Sequence, residues 1–137
     1  MTQPEIKQLL ALDVGMVRTG VARASVIAAL PEPLMTLPTN QLIDELPKLI
    51  KKYSIDAIVI GLPRSMDGNE TAQTAWVRQW VADIKPNMGI ALFLQDEAAT
   101  TVIAQQGNSS PAGLDAHAAA IILNDFLATP ADQRHVV

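Results

Sequence analysis

Cysteine is absent from this chain, which removes disulfides and thiolate zinc sites from consideration and is compatible with a reducing cytoplasm. Nor is there an excess of positive charge. Lys and Arg total 10 against 14 Asp and Glu, a formal net charge of −4. No global field therefore draws the chain to a polyanion, and contact with nucleic acid needs a local basic patch or metal ions. The opening residues, Met1-Thr2-Gln3-Pro4-Glu5, lack the basic and apolar regions of a signal peptide, and no apolar run reaches membrane-spanning length. A cytoplasmic protein without membrane contact is the expectation. There is no internal repeat, no low-complexity tract and no sign of a second domain. The 137 residues, 49% hydrophobic, fit one domain spanning 1–137, with 1–5 and 129–137 expected to be frayed tails.

What is present is a series of short apolar runs that end in acids or glycine. Leu9-Leu10-Ala11-Leu12-Asp13-Val14-Gly15 reads as a buried strand delivering a carboxylate to its exposed end, with Gly15 allowing a tight turn. Thr19 to Ala24 returns beside it, so the turn of this hairpin carries an acid, a glycine and Arg18. Three prolines between Leu30 and Pro38 leave room for only a short edge strand near Leu34 to Leu37. From Asn40 to Tyr53 the apolar positions follow helical spacing, with Thr39 or Asn40 as N-cap and Pro47 as an expected kink. Asp56 to Pro63 is a β-branched run of the kind found in parallel strands covered on both faces. A polar loop, Arg64 to Glu70, precedes a helix from Thr71 to Ile84, in which Trp76 and Trp80 read as packing residues. Ile90 to Leu94 is the next strand, ending in Gln95-Asp96-Glu97; Ala98 to Gln106 reads as a short helix ended by Gly107, Asn108 to Gly113 as a loop, and Leu114 to Leu127 as the last helix.

Three acids thus stand where elements end or begin: Asp13, Glu97 and Asp115. The carboxyl ends of parallel strands line one crevice, so Asp13 and Glu97 meet if their strands are adjacent or one apart, and Asp115 can join them from its helix. Converging carboxylates repel one another unless a divalent cation neutralises them, and hard oxygen donors select Mg²⁺ or Mn²⁺. Two such ions can stabilise the attacking and leaving oxygens of phosphodiester cleavage. Each acid also has an ordinary use: Asp13 in a turn, Glu97 at the start of a helix, Asp115 at a helix N-terminus.

The segments Ala11-Leu12-Asp13-Val14-Gly15 with Arg18-Thr19-Gly20-Val21-Ala22, Val59-Ile60-Gly61-Leu62-Pro63 with Met66-Asp67-Gly68, Asp96-Glu97 with Thr100-Thr101, and Leu114-Asp115-Ala116-His117-Ala118-Ala119 together resemble the YqgF/RuvX family, in the family's order and over nearly the whole chain. The resemblance implies an α/β, RNase H-like fold, with a mixed five-stranded sheet whose second strand is antiparallel and helices on both faces. It also implies a metal-dependent nuclease, either resolving Holliday junctions or maturing the precursor of small-subunit ribosomal RNA. Asp13, Glu97 and Asp115 match the family's catalytic, metal-holding acids, with Mg²⁺ or Mn²⁺ as cofactor. Gly15, Arg18, Gly61, Arg64, Asp67, Gly68, Thr100 and Thr101 are the candidates for substrate contact, Arg18 and Arg64 toward phosphate. His117 is expected to be a partly exposed side chain without a role.

Two departures weaken the expected grip on structured RNA or branched DNA. Ala98 stands where the family commonly has arginine, and Gln105 to Leu114 contains no basic residue where the family carries a lysine- and arginine-rich segment. Weak or partner-assisted binding, or an inactive descendant, is the expectation. Two other classes fit parts of the pattern: a non-catalytic nucleic-acid- or protein-binding module, and a nucleotide-binding domain opened by the same Asp-x-Gly hairpin. The latter needs two such domains around a cleft, and this chain supplies one. A monomer or a homodimer is expected, symmetric cleavage of two strands requiring the dimer.

Overall fold

The computed structural model describes residues 5–98 and 113–137. The first hairpin forms as its pattern requires: β1 (Gln8–Val14) and β2 (Arg18–Ser25) pair antiparallel, with Asp13 opposite Gly20. β3 (Glu32–Pro38) follows at the sheet edge. It is longer than the prolines suggest, because an edge strand tolerates missing donors, and its register against β2 shifts between Val21 and Ala22. A single-turn 3₁₀ segment, Thr39–Gln41, leads into α1 (Leu42–Tyr53), which runs unbroken through Pro47. β4 (Ala57–Arg64) lies parallel to β1, and α2 (Ala72–Ile84) opens with a reciprocal cap between Thr71 and Thr74. β5 (Ala91–Ala98) is parallel to β4, and α3 (Leu114–Ala128) closes the fold.

With His135–Val136 as β6, the sheet order is β3-β2-β1-β4-β5-β6. The sixth strand is a correction to the five expected. Residues His135–Val136 (β6), anticipated as part of a frayed tail, pair antiparallel with β5 at Phe93 and Leu94, and the Val137 amide donates to the Leu92 carbonyl at 2.9 Å. That pairing covers the edge β5 would otherwise expose.

Alternation along the strands sends successive side chains to opposite faces and divides the core in two. Leu10, Leu12, Val21, Ile58, Ile60, Leu92 and Leu94 pack against Leu42, Leu46, Val77 and Val81 of α1 and α2. On the other face Leu9, Ala11, Ala22, Ala57 and Val59 meet Ala119, Ile122, Leu123 and Phe126 of α3. Helices therefore cover both faces. Trp76 and Trp80 pack against the first cluster, as their spacing predicts. No helix among the described residues is long and apolar enough to cross a membrane.

Candidate functional site

The three acids belong to the α3 face. Asp13 follows Leu9 and Ala11 in the alternation of β1, and Glu97 follows Phe93 on β5, so both share the side of the sheet that carries α3. One strand, β4, separates β1 from β5. Asp115 arrives in the first turn of α3.

Two glycines let α3 lie close against this side of the sheet. A Cβ on Gly20 would overlap the backbone carbonyl of Asp115, so the start of α3 rests directly on β2 at the position paired with Asp13. A Cβ on Gly61 would collide with Ile122 of α3 and come to 3.8 Å from Glu97 Cγ. Gly61 thus gives Ile122 of α3 room to pack against β4, between the strands that carry Asp13 and Glu97.

The electrostatics show that the acids feel one another. Burial, with the charge of Asp115 added, pushes the Asp13 carboxyl up to about 6. Glu97 is pushed up to about 9, first by burial, then by its hydrogen bond to Asp125 and by the charges of Asp125, Asp13 and Asp96. The proton therefore resides on Glu97, which donates to Asp125. Asp125 is a fourth acid that reading the sequence missed; it lies on α3 about 80° round the helix from Asp115, so no same-face spacing marked it. Asp115 itself is held by Arg18, Nε to Oδ2 at 3.2 Å. Among the described residues no group of three His, Cys, Asp or Glu side chains is gathered closely enough to hold a metal ion. The donor set nevertheless suits a hard cation: it is all oxygen, and two of its members are short of compensating positive charge.

The turn that presents Asp13 and Arg18 is fastened from below. The Gly15 amide donates to the Arg18 carbonyl at 2.9 Å, and the Thr39 hydroxyl donates to the Gly15 carbonyl at 2.6 Å while lying 2.9 Å from the Thr19 hydroxyl. Thr39 is thus a turn clamp, not the N-cap expected of it; the N-cap of α1 is Gln41, which makes no side-chain cap.

Other expected contacts fall elsewhere. Arg64 is the last residue of β4, not the first of a loop, and alternation places it with Leu62 on the α2 face, away from the three acids. There it lies 3.0 Å from Asp96 and 3.9 Å from Glu70. Asp67 and Gly68 close their own loop: Asp67 accepts from Ser65 and Asn69, which hold its carboxyl below the usual range, and Gly68 has φ +86°. Thr100 and Thr101 lie outside the described residues, as do most of the loop after them and the expected helix Ala98 to Gln106 apart from Ala98, which instead ends β5. His117 is half-buried on α3.

With this geometry in hand, comparison with known proteins is informative. The family model described as "RuvX: Holliday junction resolvase" matches residues 7–129. A protein of Roseiflexus sp. (strain RS-1) named "Putative pre-16S rRNA nuclease" is 36% identical over 131 residues, covering 88% of this chain and 93% of its own. A protein of the same name from Chromobacterium violaceum is 32% identical over 133 residues, covering 88% and 97%. Among solved structures, Thermus thermophilus RuvC in complex with a Holliday junction substrate superposes with a TM-score of 0.59 at 12% identity, over 96% of this chain and 99% of that one. At that identity the likeness speaks for the RNase H-like fold alone.

Proposed function

The chain belongs to the RuvX family, and from that premise we propose that it is a metal-dependent endonuclease hydrolysing phosphodiester bonds in structured nucleic acid, the precursor of small-subunit ribosomal RNA first and branched DNA second. The order follows the names of the relatives matched over most of their length. What supports the reading is the placement of Asp13, Glu97 and Asp115, from β1, β5 and α3, on the α3 side of the sheet, where burial first, and then the charge of Asp115 on Asp13 and of Asp125 and Asp13 on Glu97, raise the two strand-borne carboxyls. Mg²⁺ or Mn²⁺ held by these three would supply charge neutralisation for the phosphate and for the oxygens that attack and leave.

The chain's own residues do the rest. Gly20 and Gly61 let α3 lie close on the sheet, the first under the Asp115 backbone and the second under Ile122. Arg18, exposed and tied to Asp115 by one ion pair, is free to exchange that carboxylate for a substrate phosphate. The Thr39 clamp holds the turn that carries Arg18, so orientation is set before substrate arrives. Asp125, by holding Glu97, fixes the side chain that must reach across β4.

A second reading, a nucleic-acid- or protein-binding module without catalysis, is favoured by the occupied Arg18–Asp115 pair and by the absence of a ligand cage among the described residues. Purified protein given Mg²⁺ or Mn²⁺ with ribosomal precursor RNA, and in parallel with four-way junction DNA, separates the two. Cleavage of the RNA that is lost in Asp13→Asn supports the nuclease. Binding of either substrate with no cleavage supports the module.

A further inference from the structure

On the α2 face, away from the acids, a pocket of about 260 Å³ opens between β4, β5, α2 and the C-terminal segment. At about 30 Å³ per water molecule, that is the space of roughly eight or nine waters. Leu62 and Leu94 form its apolar wall, Arg64 and Arg78 bring two guanidinium groups, and Gln133 and His135 close the outer side. The C-terminal segment is in place here because β6 pairs with β5.

The two guanidiniums share one acid. Arg78 donates to Glu70 through Nε at 2.9 Å and Nη2 at 3.2 Å, and Arg64 stands 3.9 Å from the same carboxylate. Their acidic partners are weakly committed: Glu70 and Asp96 are exposed, and ion pairs of that kind contribute little. Arg64 Nη1 donates to the Gly68 carbonyl at 3.3 Å, whereas its Nε, buried and 3.0 Å from Asp96 Oδ1, has no acceptor in line with its N–H among the described residues. That N–H is open to an anion that supplies one.

We propose that this pocket is a subsite for a phosphate monoester carried by a nucleotide. Two guanidiniums match a dianion and fork onto its oxygens, displacing the exposed carboxylates. The lining is drawn from β4, β5, α2 and the C-terminal segment, and a pocket of this size suits a terminal phosphate rather than a strand passing through. Gln133 and His135 are placed to meet the sugar or base, and the apolar wall to take its face. The choice of a nucleotide rests on the nucleic-acid reading above; the preference for a phosphate does not.

The test uses the full chain in EDTA, so that the acids hold no cation. AMP, adenosine and inorganic phosphate are titrated by calorimetry, alongside an RNA oligomer with a 5′-phosphate and the same oligomer with a 5′-hydroxyl. Saturable binding of AMP but not adenosine, weakened about 10-fold to 100-fold by Arg64→Gln and by Arg78→Gln, supports the subsite. Preference for AMP over the phosphorylated oligomer assigns the phosphate to a free nucleotide, and the reverse assigns it to a strand end. Absence of phosphate-dependent binding in the wild type overturns the proposal, as does unchanged binding in Arg78→Gln, an exposed position that decides the matter if Arg64→Gln fails to fold. Asp13→Asn keeps AMP binding while losing cleavage, so the subsite and the nuclease site fail separately.

Discussion

Arg18 Nε lies 3.2 Å from Asp115 Oδ2 across 97 residues of sequence, tying the turn after β1 to the first turn of α3. The Arg18 side chain is 70% exposed, so the pair does little for stability. Arg18→Gln is expected to change unfolding free energy by less than about 1 kcal/mol. Its effect belongs to binding: the slope of log affinity against log salt for RNA falls by about one, as it does when one phosphate contact is lost. A slope equal to that of the wild type would remove Arg18 from the substrate interface.

Gly20 is the position where the start of α3 meets the sheet. In Gly20→Ala the new methyl overlaps the Asp115 carbonyl, and backbone rather than a flexible side-chain tip must move. A loss of about 1–3 kcal/mol or more is expected in denaturant unfolding. Activity falls with it, because Asp115 shifts with the helix. Wild-type stability in this variant would show that α3 does not sit where described.

Stability in the absence of divalent cations carries a pH signature. Asp13 and Glu97 have folded-state values of about 6 and about 9, above the ordinary 3.8 and 4.5. The folded protein therefore binds more protons than the unfolded chain across that interval. Stability is complete below the ordinary carboxylate values and is lost as pH rises, first through the Asp13 value and then through that of Glu97. The melting temperature in EDTA should fall steadily between about pH 5 and pH 9. Added Mg²⁺ should raise it more at the alkaline end, where the carboxylates are charged. A melting temperature that rises over this interval in EDTA contradicts the assignment.

Asp13→Asn removes the buried charge while keeping the shape of the side chain. At pH 8 it should stabilise the metal-free protein by roughly 1–3 kcal/mol, the trade of stability for function common at catalytic carboxylates. Glu97→Gln should be close to neutral, since a carboxamide donates to Asp125 as the protonated acid does. Thermal melts of both variants, set beside their loss of cleavage, distinguish a site residue from a structural one.

Much of this molecule was legible in its sequence for identifiable reasons. The apolar runs at Leu9 to Val14 and Asp56 to Pro63 admit few partners other than a sheet, and the helical spacing of Leu42, Leu46 and Leu49 left α1 little alternative. What escaped reading depended on register and on packing at a distance. Arg64 was expected at the crevice as the first residue of a loop; β4 includes it, and alternation turns it to the α2 face. Gly20 and Gly61 look like any strand glycine until α3 is laid on them. The 129–137 segment has no strand pattern of its own, and β6 exists because β5 offers an open edge. Asp125 is an unremarked polar residue of α3 until Glu97 is brought to it from β5.

The most direct check is a Mn²⁺ titration of the wild type and Asp13→Asn followed by electron paramagnetic resonance. The account predicts saturable binding in the wild type, displaced by Mg²⁺ and abolished in the variant, whose fold is retained. Equal uptake by both proteins, or none by either, would mean that the carboxylates from β1, β5 and α3 do not act together on a cation.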